Sequence, residues 1–356
     1  MSDTHHWTLE DWVKEQPSPS PETPPSPQPT STPILTNSQA DIHADRAKLT
    51  YGRERYEGFS VGKYLQTPPL LFTRDGHALY LGDMYRGTSA FLLLSGPSTK
   101  QLDLSLLRQP GVLSMSVNNA VSSCKTNLWT CVDGPEKFVK SAWFDPTILK
   151  MVPYCYAEKT IYDNELQKET NIRVGDCPST IFYRRNEHFV ARQFLFENTV
   201  NWGNHSNLCT CGNWRKDLRR SEVKELICSK CGKKEWGARS VMLAALRLLF
   251  YMGVRNVFLL GCDFHMEPDQ ENYHFEQDRS RAAVKSNNTT YRMLTRRFAE
   301  LRPIFEKNHF FIFNCNPESN LDVFPKVDYL EAVQAVRSPF PEKDRTAGLY
   351  ERKPHG

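Results

Sequence analysis

Three side chains beyond one apolar run carry the first chemical signal. In Asn256-Val-Phe-Leu-Leu-Gly-Cys-Asp-Phe-His265, residues Val257 to Leu260 read as a short buried strand that Gly261 ends. Asp263 and His265 follow directly, and His274 lies in the polar loop beyond. An imidazole is largely neutral at pH 7 and can take a proton from a hydroxyl, while a carboxylate partner raises its basicity and holds its tautomer. His265 and His274 are the two candidates for a general base, with Asp263 the carboxylate. The bland alternative, of equal weight on composition, is a turn aspartate capping backbone amides beside two surface histidines.

A second constellation is Ser95-Gly96-Pro97-Ser98, which follows the apolar run Ala90-Phe-Leu-Leu-Leu. A strand that turns sharply through glycine aims backbone N–H groups at an anion, and a serine hydroxyl adds a donor. An ordinary turn after a strand has the same sequence, and neither a dinucleotide-binding glycine pattern nor a Walker lysine is present. Asn118-Asn119 and Asp133 stand at comparable points, each just after an apolar run.

The third constellation is metallic. Cys209-Thr-Cys211 and Cys228-Ser-Lys-Cys231 form two close pairs with glycine after each. Four thiolates on two turns suit tetrahedral Zn²⁺, and a site with four protein ligands leaves no position for a catalytic water. The first pair is one residue tighter than the usual C-x-x-C, and four unrelated cysteines are the alternative. Between Arg215 and Lys234 eight basic residues stand against three acidic ones, with Trp214 and Trp236 at the flanks. Such a knuckle can grip nucleic acid or simply be solvated.

The elements that must position these groups are legible in part. Short strands are expected at Leu70–Thr73 and Ala78–Leu81, stronger ones at Ala90–Ser95, Val112–Val117, Asn127–Val132 and Val257–Leu260, and a last one at His309–Asn314. Leu102, Leu104 and Leu107 suggest a helix after the Gly96 turn. Ser240 to Met252 is almost wholly apolar and reads as a buried helix. Residues 289–307 alternate basic and apolar positions as a surface helix does. Parallel strands that each end in a small or polar residue, joined by helix-length segments, predict an α/β fold with a mainly parallel sheet, flanking helices and an inserted zinc-ribbon-like knuckle. Residues 150–205 give no clear pattern.

Eight of the 23 prolines fall between Pro17 and Pro33, which predicts a disordered tail over residues 1–40. An extension over 41–88, a transferase domain over 89–338 with the cysteine knuckle at 207–236, and a loose tail over 339–356 complete the expected division. With 39% hydrophobic residues and 24% charged ones the chain is of globular composition, and its net charge of +4 does not by itself imply a nucleic-acid partner. No apolar run is long enough to span a membrane and the N-terminus lacks the features of a signal peptide, so ten cysteines point to metal ligation or burial in a reducing, cytoplasmic setting.

The order and spacing of Ser95-Gly-Pro-Ser98, Asn118, Gly253-Val-Arg-Asn-Val-Phe-Leu-Leu-Gly-Cys-Asp-Phe264 and Phe313-Asn-Cys-Asn-Pro317 with Leu321-Asp-Val-Phe-Pro325 is similar to bacterial CMP-sialic acid sialyltransferases. It more closely resembles the related MptE-like family, which includes 6-hydroxymethylpterin diphosphokinases. The resemblance covers about residues 88 to 335 without the cysteine insert. It implies a Rossmann-like transferase domain with donor phosphates at Gly96-Pro97-Ser98, Asn118 on the donor nucleotide, Ser240 close to it and His274 as general base. Two departures bear on donor and acceptor: the glycine motif is shortened, with Leu94-Ser95 before Gly96, and the cysteine insert is extra.

The expected function is glycosyl transfer from a nucleotide-activated donor to an acceptor hydroxyl on a glycan, a small molecule or a modified DNA base. The alternative is ATP-dependent diphosphokinase chemistry with Mg²⁺ on Asp133 and Asp263. A zinc-knuckle nucleic-acid binder is the non-enzymatic alternative.

Overall fold

The structure, a computed structural model, describes residues 69–163, 168–186, 189–203, 214–216, 225–228, 234–236, 239–268, 270, 273 and 280–336. The expected tail over 1–40, the final segment, and His274, Cys209, Cys211 and Cys231 lie outside the described residues.

Nine strands build the main sheet: β1 (Leu71–Phe72), β2 (Ala78–Leu79), β3 (Ser89–Leu93), β4 (Leu113–Val117), β5 (Leu128–Thr130), β6 (Leu149–Pro153), β7 (Thr180–Tyr183), β8 (Asn256–Leu260) and β9 (Phe311–Asn314). Their order is β9-β8-β3-β4-β5-β6-β7-β1-β2. All pairings from β9 to β7 are parallel, and β1 and β2 add an antiparallel edge. The fold is therefore α/β with a mostly parallel sheet. The chain runs outward from β3 to β7, then returns to lay β8 on the other side of β3. That return makes a reversal of strand order between β3 and β8.

Parallel strands need cover on both faces, so their sequences are apolar in successive positions and not alternating. Strand β3 shows it. Ala90 and Leu92 face a core shared with helices α2 (Val241–Tyr251) and α3 (Arg281–Lys307), while Phe91 and Leu93 face the opposite core. There they meet Phe258, Phe313 and the Tyr329 and Val333 side chains of helix α4 (Tyr329–Val336). Phe258 stacks on Phe313 at 5.2 Å and tilts against Phe91 at 5.4 Å. Farther along the same face, Trp129 of β5 packs edge-on to Trp143 of helix α1 (Lys140–Phe144) at 4.8 Å. Burying each such aromatic contributes about 2–3 kcal/mol against leaving it exposed.

Helix α2 matches the expectation closely. Ser240 caps it by accepting a bond from the Met242 amide at 3.1 Å. Almost every residue is buried, including Arg247, whose Nη2 donates to the Glu197 carbonyl at 2.7 Å. Burial lowers the Arg247 pKa to about 10, so it stays charged at neutral pH.

The helix expected through Leu102, Leu104 and Leu107 is not an α-helix. Two 3₁₀ segments, Pro97–Gln101 and Leu104–Arg108, take its place. Asp103 accepts from the Ser105 amide at 3.0 Å and so starts the second segment afresh, and Pro110, with no N–H, stops it. Leucines two and three apart fit this tighter coil as well as they fit an α-helix.

Residues 150–205, opaque in sequence, supply most of β6, all of β7, a hairpin of Thr160–Asp163 with Lys168–Arg173, and a parallel pairing of Arg185–Asn186 with Val200–Asn201. Residues 71–79, assigned from sequence to an N-terminal extension, pair onto the edge of the main sheet through β1 and β2. In the cysteine insert, Trp214–Lys216, Glu225–Cys228 and Lys234–Trp236 form a three-stranded antiparallel sheet.

Candidate functional site

The strand order reverses between β3 and β8, and in open α/β sheets a crevice opens at such a point beyond the carboxyl ends of the strands. A cavity of about 540 Å³ lies there. The turns after β3, β4 and β8 form its floor, at Ser95-Gly96, Asn118 and Gly261–His265. The start of α2 closes one side and Tyr291 and Leu294 of α3 another. Of the residues expected from sequence, Ser95, Gly96, Asn118, Asp133, Ser240, Asp263 and His265 line it together. Pro97, Ser98 and Asn119 do not line it, although Pro97 and Asn119 follow residues that do and Ser98 is bonded to Asp263, which does.

The two glycine turns are locked face to face. The Gly96 amide donates to the Gly261 carbonyl at 2.9 Å. A Cβ on Gly96 would collide with that carbonyl oxygen and with the Asp263 carboxylate. Gly261 has φ +66°, and a Cβ there would stand 2.8 Å from the Leu94 carbonyl. Glycine is required at both positions by close approach of the chain to itself.

Asp263 is the centre of this lock. Its Oδ2 accepts from the Ser98 amide at 3.1 Å, and its Oδ1 accepts from the Ser98 hydroxyl and from Asn316 Nδ2, the latter at 2.6 Å. The Gly96–Ser98 turn thus points its donors at Gly261 and Asp263. Asp263 is held among these donors and is not the partner of His265. The carboxylate beside His265 Nε2 belongs to Glu267, and both side chains are close to half exposed.

Backbone strain collects at the same place. Asn118 has φ +50° and Phe264 has φ +56°. Asparagine tolerates the left-handed region, but a bulky aromatic there is an outlier that surrounding structure must enforce. Phe264 is held by stacking on Tyr291 at 5.0 Å. Asn118 is held by its carbonyl, which accepts from Trp129 Nε1 at 2.8 Å. Its side-chain Oδ1 is buried and accepts no bond among the described residues, although Asn118 itself lines the cavity floor. The Asn119 Oδ1 is likewise without a donor among the described residues, while its Nδ2 donates to the Lys137 carbonyl at 3.1 Å.

Sequence reasoning missed the far wall, built from Trp202, Arg239 and Lys137. Arg239 lies over the Trp202 ring at 5.0 Å and Arg185 lies over it at 5.2 Å. Lys137 pairs with Asp133 at 3.6 Å in solvent. One signal for this wall was available: Trp202 and Arg239 bracket the cysteine insert, whose two ends must meet. They do, through a bridge between Gly203 and Arg239 and a bond from the Ser240 amide to the Trp202 carbonyl at 2.8 Å. The insert is therefore rooted at the cavity rim.

Among the described residues no group of three or more His, Cys, Asp or Glu is placed to hold a metal ion. Asp133 and Asp263 both line the cavity, but Asp263 is already held by Ser98 and Asn316. Cys228 ends the middle strand of the insert's sheet, opposite Trp214, and the other three cysteines lie outside the described residues. No described helix is long and apolar enough to cross a membrane. No family model, curated protein or solved structure matches the chain.

Proposed function

We propose that this chain is a Rossmann-like transferase that takes a nucleotide-activated donor in the cavity beyond β3, β4 and β8. The carrying observation is the position of the cavity: about 540 Å³ at the one reversal of strand order in the main sheet, where open α/β sheets bind ligands. Its volume suits a nucleotide or a nucleotide sugar. Its walls have the mixed character such a ligand needs, with Phe264 and Tyr291 on one side and Arg239 and Lys137 on another. Glycosyl transfer to an acceptor hydroxyl requires a base to take the hydroxyl proton. His265 lines the cavity and carries Glu267 as its carboxylate. His274 remains the base that the family resemblance implies.

Pyrophosphate transfer is the second reading, favoured by one observation: Asp133 and Asp263 line the same cavity. It requires Mg²⁺, and the engagement of Asp263 by three donors weighs against it. The acceptor remains a glycan, a small molecule or a modified DNA base.

Thermal unfolding with CMP-, UDP- and GDP-sugars and with ATP, each with and without Mg²⁺, tests the proposal. A donor present at about 100 times its dissociation constant stabilises the fold by about 2.7 kcal/mol, which moves the midpoint by several degrees. A nucleotide sugar that does so without Mg²⁺ supports glycosyl transfer. Stabilisation by ATP with Mg²⁺ alone supports the second reading, and no shift with any of them rejects both.

A further inference from the structure

Helix α3 carries charge of one sign along its outer face. From Arg281 to Ala299 it holds no acidic residue, while Arg281, Lys285, Arg292, Arg296 and Arg297 are basic. Its two acids come later and are taken by neighbouring arginines, Glu300 by Arg297 at 3.6 Å and Glu306 by Arg302 at 2.7 Å. Lys285, Arg292 and Arg296 are exposed and have no carboxylate partner among the described residues. At about 100° per residue these three fall within an arc of about 40°, and they span about 16 Å of the helix. Thr289 lies on the same face, donating to the Lys285 carbonyl at 3.0 Å and accepting from Arg292 Nη2 at 3.1 Å.

That arrangement is unfavourable to the helix itself. Arg292 and Arg296 are like charges at i,i+4. Arg281 stands in a first turn that has no acid, the reverse of what the helix dipole favours. A helix face that is merely solvated intersperses both signs and gains i,i+4 pairs. A polyanion laid along the stripe offsets the repulsion. The surroundings of the stripe narrow the kind of polyanion. A helix that lies on an anionic membrane sets large apolar side chains beside its cations, and none of the exposed large apolar side chains among the described residues belongs to α3. A single nucleic-acid strand needs aromatic rings on which its bases stack, and Tyr291, the only tyrosine of α3, lines the cavity. A duplex, which offers phosphates and keeps its bases paired, fits the stripe.

We infer that the outer face of α3 docks double-stranded DNA by its phosphate backbone, through Lys285, Arg292 and Arg296. Docking of a duplex stands without the transferase reading, whereas the choice of DNA rests on that reading, which allows a hydroxyl-bearing DNA base as acceptor. The other side of the same helix lines the cavity with Thr290, Tyr291 and Leu294. Asn288 fastens the helix to the segment after β8, donating to the Met266 carbonyl at 2.8 Å and accepting from the Met266 amide at 2.9 Å. A duplex on the stripe is thus held about one helix diameter, roughly 10–12 Å, from the cavity.

Fluorescence anisotropy of the full chain with a labelled DNA duplex of about 20 base pairs, over roughly 20 to 200 mM salt, tests it. Three phosphate contacts give a plot of log affinity against log salt a slope of about −3. Lys285→Gln, Arg292→Gln and Arg296→Gln should each weaken binding and make that slope shallower by about one, and the triple variant should lose at least about tenfold in affinity. The triple variant should melt no lower than the wild type, because it removes the like-charge pair. Stabilisation by a nucleotide donor belongs to the cavity and should be unchanged in it. Duplex RNA of the same length and phosphatidylserine vesicles are the comparison probes. The inference is overturned by equal DNA affinity of the wild type and the triple variant, by no DNA binding at the lowest salt, or by stripe-dependent binding of RNA or vesicles without binding of DNA. Each of these leaves the transferase reading standing if a donor still stabilises the fold. Stripe-dependent DNA binding by a chain that no donor stabilises upholds the docking and rejects the transferase reading.

Discussion

Gly96 and Gly261 show how a residue type can be read correctly and its reason misread. A glycine directly after a strand suggests room for a ligand. Here it makes room for another turn, because the β3 and β8 turns touch and share the Asp263 carboxylate. Gly96→Ala is therefore expected to push the two turns apart and to destabilise the protein by about 1–3 kcal/mol, as overpacking of a tight contact does. Urea denaturation reads the change, and an unaltered midpoint would mean that the turns separate freely. His265 is a similar case: its carboxylate is Glu267, two residues on, and not the strand-end aspartate. Asn118 differs again, since a left-handed residue at the cavity floor, with a buried acceptor that has no donor among the described residues, is a stronger pointer to function than its position after a strand alone.

At the scale of elements, the join between α1 and β6 depends on Asp145. Its carboxylate accepts from Lys125 Nζ at 2.8 Å and from the Thr147 amide and hydroxyl at 2.9 and 2.6 Å. The bond from Lys125 is the main cause that lowers its pKa from 3.8 to about 2, with Thr147 adding to it. A carboxyl group with a depressed folded pKa adds stability above its unfolded pKa and loses it as pH falls through the folded value. Asp145→Asn should thus destabilise at neutral pH, by no more than about 1 kcal/mol because the pair is partly solvated. The gap between the two proteins should close as pH falls from about 4 toward 2. A gap that stays constant over that range would assign the effect to the turn geometry and not to charge. Below Asp145, buried Lys150 donates to the carbonyls of Asp145, Ile148 and Pro178 at 2.6, 3.1 and 2.8 Å, so the same turn is fastened from both sides.

At the scale of the whole molecule, one sheet supplies the cavity and one insert leaves from its rim. Cys209 and Cys211 precede the insert's first strand, Cys228 ends its second, and Cys231 lies between the second and third. That order is compatible with a Zn²⁺ site closing a small antiparallel sheet. Metal analysis of protein purified under reducing conditions should find about one Zn²⁺ per chain, and Cys228→Ser should lower it to near zero while the main sheet still melts cooperatively. Zinc-free wild-type protein would rule the site out. A Cys228→Ser variant whose main sheet no longer folds would instead show that the insert and the body are one cooperative unit.

What the sequence determined by itself was the set of strands buried on both faces. Ala90–Leu93, Leu128–Trp129 and Val257–Leu260 are apolar in consecutive positions, as strands covered on both faces are, whereas Leu113–Val117 alternates with serines that are buried all the same, and α2 is apolar nearly all round because it is part of that cover. The residues at the ends of β3, β4 and β8 were legible for the same reason, since a strand end in such a sheet is where a ligand can reach. Tertiary structure alone decided the remainder. Strand β7 and the residues around Trp202 are short and irregular in pattern, and they gain their places from pairing with partners distant in the chain. The strand reversal, the lock between Gly96 and Asp263, and the meeting of Trp202 with Arg239 join residues about 35 to 165 positions apart. No local preference encodes such contacts, because they exist only once the β7-to-β8 return has laid one half of the sheet against the other.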